Sequence, residues 1–163
     1  MPSAFSQDLK KPDVPDEMAT SDNEKLIAMA HGKGDQIYIC KPNMNGAPFG
    51  YMLQAPDAVL TDDAGKEVGH HYIGPTWQWE DASKITGKVV ISARSPDPKA
   101  ISWLLLSTVD HSDTGVLSRV IFIQRINTKG GRAPSSGCDA EHVDKEIRVP
   151  YSADYYFYTR NNK

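Results

Sequence analysis

The fold is decided by the stretch Trp103-Leu-Leu-Leu-Ser-Thr-Val109, His111-Ser-Asp-Thr-Gly115 and Leu117-Ser-Arg-Val-Ile-Phe-Ile-Gln-Arg-Ile-Asn127. Its first and last parts are short apolar runs rich in β-branched and aromatic residues, and its middle part is a cluster of turn-forming residues. Two such runs joined by a turn cluster are typical of neighbouring β-strands. Both runs are far shorter than the ~20 apolar residues that a membrane-spanning helix needs.

The same pattern of short runs and turn clusters extends over most of the chain. Further turn clusters lie at Pro42–Gly46, Asp62–Gly65, Pro96–Pro98 and Lys129–Gly131. Further β-rich runs lie at Phe49–Leu53, Glu67–Trp79, Lys88–Ala93, Ile147–Val149 and Asp154–Thr159. No long helical period follows residue 35. The pattern predicts an all-β protein, with residues 21–163 forming a single-domain antiparallel sandwich or barrel.

The N-terminal part of the chain differs from the rest. Residues 1–20 contain Pro2, Pro12 and Pro15 among charged and small polar residues, and we expect them to form an extended or mobile arm. Two structures are open for the residues that follow. The segment Ser21-Asp-Asn-Glu24 could be a capping box that opens a short helix. A β-hairpin turning at Gly32–Asp35 is favoured instead, because apolar residues alternate along its first strand, at Leu26, Ala28 and Ala30.

Composition excludes several classes of function. The chain has 163 residues and a formal net charge of −3, which suits one domain with a hydrophobic core. Its Lys and Arg residues are scattered, so we expect neither a nucleic-acid partner nor binding to an anionic membrane. No Gly-x-Gly-x-x-Gly follows a strand, so no dinucleotide cofactor is expected. The N-terminus lacks a signal-peptide layout, so the protein is either cytoplasmic or has lost a signal.

The two cysteines allow two interpretations. Cys40 follows an apolar run, and Cys138 lies in the loop Pro134-Ser-Ser-Gly-Cys138. They could form one disulfide, or they could be unpaired, with one of them packed as a small apolar residue. A loop is an unusual place for a packing cysteine, which favours the disulfide.

The segment Gly69–Trp79 contains the strongest candidates for a ligand-binding or metal-binding residue. In a strand, alternation places His71, Ile73, Trp77 and Trp79 on one face and puts His70 on the other. A bulge at Gly74-Pro75 would shift this register. His71 is then either a buried neutral imidazole bound to a carbonyl or tyrosine hydroxyl, or a ligand to haem or a transition metal. His70 is the weaker candidate for such a ligand, and no zinc-binding spacing occurs.

Other candidate residues lie on the remaining runs. Aromatic side chains could line a ligand pocket with His71 or could form the core of a sandwich; they are Trp77, Trp79, Trp103, Tyr151 and Tyr156. Arg125 and Asp154 each interrupt an apolar or aromatic run. We therefore expect them to form a partly buried ion pair that joins two strands.

Four segments together resemble the domain-of-unknown-function 3455 family of bacteria and fungi. They are Gly69-His-His-Tyr-Ile-Gly-Pro-Thr-Trp77, Trp103-Leu-Leu-Leu106, Ile123-Gln-Arg-Ile-Asn-Thr-Lys-Gly-Gly131 and Val149-Pro-Tyr-Ser-Ala-Asp-Tyr-Tyr-Phe-Tyr158. The resemblance extends over roughly residues 24 to 159 and has a histidine at the position of His71. Family members commonly begin with an export signal, which implies an exported protein with Cys40 and Cys138 bonded. The resemblance implies no activity.

Two functions follow as hypotheses. The first is an exported, non-catalytic β-domain that binds a small ligand or a partner surface in an aromatic pocket around His71. The second is a His-ligated haem or metal redox protein that acts on a small oxygen species such as superoxide or peroxide. The sequence does not determine the oligomeric state or whether the protein is an enzyme.

Overall fold

Eight antiparallel strands close into a barrel in the part of the chain that the computed structural model describes, residues 9–44 and 46–161. Each strand pairs with the next along the chain, and the last strand pairs with the first. The strands are β1 Glu24–Met44, β2 Ala47–Thr61, β3 Glu67–Tyr72, β4 Thr76–Trp79, β5 Lys84–Ala93, β6 Trp103–His111, β7 Val120–Gly130 and β8 Glu146–Arg160. The predicted all-β antiparallel fold is confirmed, and it is the barrel form.

Strand β1 is one continuous strand of 21 residues. The predicted hairpin turn at Gly32–Asp35 is wrong, because the chain stays extended through those residues. The predicted alternation is confirmed, since the side chains of three apolar residues are buried: Leu26, Ala28 and Ala30. Only half of the Ser21–Glu24 capping box forms, and it precedes a strand and not a helix. Ser21 N–H donates to Glu24 Oε1 at 3.2 Å and Ser21 Oγ donates to Glu24 Oε2 at 2.7 Å, whereas Glu24 N–H donates to the Ser21 carbonyl oxygen and not to Oγ.

Close approach between strands explains the glycines of β1. A Cβ atom at Gly32 would lie 2.6 Å from Cε2 of Tyr155, and one at Gly34 would lie 2.1 Å from the Asp57 carbonyl oxygen. Any larger residue would therefore force the neighbouring side chain or strand to move. Glycine in a strand interior marks such a close approach as often as it marks a turn.

The run Glu67–Trp79 is a hairpin of two strands, β3 and β4, and not the single strand that we expected. The turn between them contains a cis Gly74–Pro75 peptide bond. Because His71 pairs directly with Trp77, these two side chains still share a face, as predicted. Ile73 is the exception, since it lies in the turn and is 61% exposed.

The barrel interior holds the main hydrophobic core. Its largest fully buried side chains include Trp77, Leu106, Ile123, Tyr155 and Phe157. They come from four different strands, so closure of the sheet is what brings them together. Trp79 packs edge-on against Phe157, with ring centroids 5.9 Å apart.

Cys40 and Cys138 form a disulfide, with their Cα atoms 5.4 Å apart. The bond ties the loop between β7 and β8 to β1. Two backbone hydrogen bonds support the same contact: Cys40 N–H donates to Lys145 O at 3.0 Å, and Asp144 N–H donates to Cys40 O at 2.8 Å. The prediction that Cys40 and Cys138 form a disulfide is therefore confirmed.

The described part of the N-terminal arm packs against the barrel. It contains one 3-10 turn, Asp16–Met18, and the Met18 side chain is fully buried. Gln124 Nε2 donates to the Met18 carbonyl oxygen at 2.8 Å, and the Lys11 ammonium lies 5.7 Å from the ring centroid of Tyr158. Gln124 and Tyr158 alternate with core residues, so the arm lies on the outer face of the sheet, where it contacts β7 and β8 and where its 3-10 turn also lies against β5. Over the described residues, no helix has both the length and the apolar character to cross a membrane.

Candidate functional site

A cavity of about 350 Å³ opens at the barrel wall where β3 and β4 are short. Its mouth lies between β2, the turn from β3 to β4, and β5. Apolar residues form most of its lining, among them Leu53, Ala55, Val89, Leu104 and Leu106. The polar or aromatic residues of the lining are Gln36, Gln54, His71, Trp77, Arg125 and Tyr155.

His71 lies in this lining as a neutral imidazole. Its ring stacks on Trp77, with centroids 4.3 Å apart and planes at 18°. Nδ1 donates to the Thr76 carbonyl oxygen at 2.8 Å, so Nε2 is the unprotonated nitrogen. Burial lowers the pKa of His71 to about 3, although the Thr76 carbonyl opposes that shift. The side chain therefore stays uncharged at neutral pH.

Two buried polar atoms in the lining residues lack a hydrogen-bond partner among the described residues. They are Trp77 Nε1, a donor, and Gln36 Oε1, an acceptor. Trp77 is 1% exposed and Gln36 is 3% exposed. An unmet buried polar group costs about 1–3 kcal/mol, so each such group in a native protein calls for an explanation.

Arg125 contributes a positive charge to the same lining. Its Nε and Nη2 donate to the Ser102 carbonyl oxygen at 3.1 and 2.7 Å. The predicted ion pair with Asp154 is wrong. Arg125 pairs in register with Tyr155, whereas Asp154 is opposite Ile126, so the two charged side chains lie on opposite faces of the sheet.

Asp154 belongs to a cluster on the outer surface. His31 Nδ1 lies 2.6 Å from Asp154 Oδ1, and His31 Nε2 lies 2.8 Å from Asp63 Oδ1. Asn127 Nδ2 donates to the other oxygen of Asp154 at 2.8 Å. The residues of this cluster are far apart in sequence, so no local pattern could have indicated it.

The structure brings together only some of the side chains that the sequence suggested for a ligand pocket. Of the predicted side chains, His71 and Trp77 line the cavity. Trp79 packs on the core, and Tyr151 is buried with its hydroxyl 2.8 Å from that of Tyr155, but neither lines the cavity.

Trp103 and Tyr156 were predicted for the pocket but lie on the other face of their strands. Each is adjacent to a residue that does line the cavity, Leu104 and Tyr155 respectively. Successive side chains of a strand point to opposite faces, so this placement puts Trp103 and Tyr156 outside. Strict alternation from Tyr151 would have selected Tyr155 in place of Tyr156.

His70 lies on the outer face, as predicted. Its side chain is 58% exposed, with Nε2 3.2 Å from Glu67 Oε1. It does not approach the cavity with His71. Across residues 9–44 and 46–161, no group of three or more His, Cys, Asp or Glu side chains is placed to hold a metal ion.

Comparison with known proteins gives one result. Residues 20–159 match the family described as "Protein of unknown function (DUF3455)". No curated protein and no solved structure matches the chain.

Proposed function

The chain belongs to the DUF3455 family, and we propose that it is an exported, non-catalytic barrel domain that binds a small molecule in the cavity beside His71 and Trp77. One observation carries this proposal. A mostly apolar cavity of about 350 Å³ brings together polar side chains from three strands, Gln36, His71 and Arg125. Such a recess suits a small molecule that packs against the apolar lining and is oriented by these few polar groups.

The shape and lining of the cavity support a compact ligand. Binding sites for small molecules are concave and mostly apolar, with a few polar groups that fix orientation, and have volumes of about 300–1,000 Å³. The volume of about 350 Å³ lies at the lower end of this range. A recess of this size can enclose a small molecule, but it is too small to accept the surface of a partner protein.

The protonation state of His71 supports binding without catalysis. A general base works best when its pKa is close to the operating pH. Because burial lowers the pKa of His71 to about 3, this imidazole is a weak base at neutral pH. It would serve as a hydrogen-bond acceptor for a ligand through Nε2.

The disulfide supports export. Disulfides persist in oxidising compartments and are rare in the cytosol. The Cys40–Cys138 bond joins residues that are 98 positions apart, so it would contribute substantially to stability only where it stays oxidised.

The second candidate function, a haem or metal redox protein, has one specific observation in its favour. A neutral imidazole whose Nδ1–H is held by a carbonyl is the arrangement that metal-ligating histidines commonly have. His71 has this arrangement with Thr76. The chain would supply one ligand, and the rest of the coordination would come with the group that binds, as it does in haem.

Titration with phenol tests the proposed function, because phenol combines an apolar ring with one hydroxyl that both donates and accepts. We expect saturable binding to a single site, measured by calorimetry. Ala55→Phe, which fills the cavity, should abolish the binding. Ala47→Phe, on the exposed part of the same strand, should leave it unchanged. Equal binding by both variants would place the ligand elsewhere and refute the proposal.

Titration with haemin separates the two functions. The redox alternative requires one haemin per chain, with an absorption spectrum that His71→Ala abolishes and His70→Ala retains. The binding proposal expects no such His71-dependent spectrum. A stoichiometric spectrum that depends on His71 would favour the redox protein over the proposed function.

A further inference from the structure

Arg125 is a positive charge in a cavity wall that contains no acidic residue. None of the residues that line the cavity is Asp or Glu. Arg125 donates to the Ser102 carbonyl oxygen and contacts the Tyr155 hydroxyl, which uses only part of the five-donor capacity of a guanidinium. The charge is half-buried, and both of these partners are neutral.

The electrostatic influence of Arg125 extends across the barrel interior. Burial lowers the pKa of His71, and the charge of Arg125 lowers it further. Burial raises the pKa of Tyr155, and the charge of Arg125 opposes that rise. The interior of the barrel at the cavity is therefore electropositive, with no carboxylate in the lining to balance it.

Charge in a poorly solvated site is costly unless an opposite charge meets it. The planar fork of a guanidinium fits a carboxylate with two parallel hydrogen bonds, and these are among the strongest that proteins form. The cavity lining thus contains one cationic donor and no anionic group, and this suits a ligand with a carboxylate.

We propose that the ligand of this cavity is a compact organic carboxylate, with its carboxylate group bound by Arg125 and its apolar body packed against Leu104, Leu106 and Val89. This inference rests on the proposed function and adds the chemical class of the ligand. Gln36 Oε1 and His71 Nε2 add acceptors, so a hydroxyl or amide on the apolar body would be accommodated as well.

A pair of nearly isosteric probes tests the proposal without any mutation. Phenylacetate and phenylacetamide have the same ring and length, and only the first is an anion. We expect wild-type protein to bind phenylacetate about 10–100-fold more tightly by calorimetry, the range expected of one charge-assisted hydrogen-bonding contact.

Variants assign that preference to Arg125. Arg125→Met should bring the two affinities to within about threefold of each other, and Arg125→Lys should keep part of the preference. Arg119→Met is the matched control, since Arg119 is exposed and does not line the cavity, and it should behave as wild type. If Arg125→Met does not fold, the proposal is still tested by the ratio of the phenylacetate and phenylacetamide affinities in wild type and by the reduction of that ratio in Arg125→Lys.

The possible failures are distinguishable. If phenol or phenylacetamide binds in the cavity as tightly as phenylacetate, the carboxylate inference is overturned and the proposed function stands. If phenylacetate is preferred but Arg125→Met keeps the full preference, Arg125 is not its origin and the inference is also overturned. If none of the three probes binds, the proposed function and this inference fail together.

Discussion

At the scale of single residues, His71 and His31 occupy opposite environments in the same barrel. His71 lies inside, 4% exposed, with only a carbonyl oxygen against its Nδ1. His31 lies at the surface, with a carboxylate oxygen against each ring nitrogen. These surroundings decide the protonation state of each histidine. Burial favours a neutral imidazole at His71, and two carboxylates favour the imidazolium at His31.

His71→Ala should destabilise the protein by about 2–4 kcal/mol, because it removes a buried ring, its stacking on Trp77 and a buried hydrogen bond. Unfolding in urea at neutral pH would measure the loss. His70→Ala, at an exposed position, is the control and should change stability by less than about 0.5 kcal/mol. A larger loss from His70→Ala than from His71→Ala would contradict the register of β3 described above.

His31 should titrate above the ordinary histidine range. Burial by itself would lower its pKa, but the hydrogen bonds to Asp154 and Asp63 outweigh this and raise it. A raised folded-state pKa contributes stability that is fully present below the unfolded pKa of about 6.5 and is lost as pH rises through the folded value.

NMR titration of the His31 imidazole checks this prediction. Asp154→Asn and Asp63→Asn should each lower the measured pKa. The stability difference between wild type and His31→Gln should be greatest in mild acid and should shrink as pH rises. A pKa below that of a model histidine would show that burial, and not the carboxylates, controls this side chain.

At the scale of strands and loops, the unequal lengths of the strands create the cavity. Strand β4 has four residues, whereas its neighbour β5 has ten and β2 has fifteen. The long strands extend past the short hairpin of β3 and β4, and the recess that carries Gln36, His71 and Arg125 opens there. The loop between β7 and β8 is held elsewhere, on β1, by the disulfide.

Reduction of the Cys40–Cys138 disulfide should lower the free energy of unfolding by about 2–4 kcal/mol, since the bond closes a long loop in the unfolded chain. Cys40→Ser/Cys138→Ser should show the same loss without a reductant. Thiol titration of denatured, unreduced protein should detect no thiol. Two thiols per chain in that assay would mean that the bond does not form.

At the scale of the whole molecule, the eight strands form one closed ring in which each strand has two neighbours, although β2 and β5 are unpaired on one side where they extend past the short hairpin of β3 and β4. An eight-stranded barrel has an interior just wide enough to be filled by side chains or to hold one small ligand. This barrel has a core filled around Phe157 and Ile123 and, beside it, the cavity that His71 lines. The N-terminal arm adds a second, outer layer over β7 and β8 through Met18.

Met18→Ala should destabilise the protein by about 2–4 kcal/mol, because the side chain is fully buried between the arm and the barrel. Met52→Ala is the matched control at a position that is 40% exposed, and thermal and urea unfolding should show little change for it. Equal effects of the two substitutions would mean that the arm is not part of the folded unit.

The sequence by itself determined the features that depend on local pattern. Runs of β-branched and aromatic residues between turn clusters predict the strands, and alternation along β1 buries Leu26, Ala28 and Ala30. These predictions succeed because the side-chain period of a strand is a property of the strand itself.

Only the tertiary structure decided what depends on pairing between distant strands. Closure into a barrel and the continuation of β1 through Gly32 follow from which strand lies beside which. For the same reason, Arg125 donates hydrogen bonds to the Ser102 carbonyl oxygen and does not pair with Asp154. A shift of one residue in register moves every side chain of a strand to the opposite face, and that register is set by non-local contacts absent from any short segment.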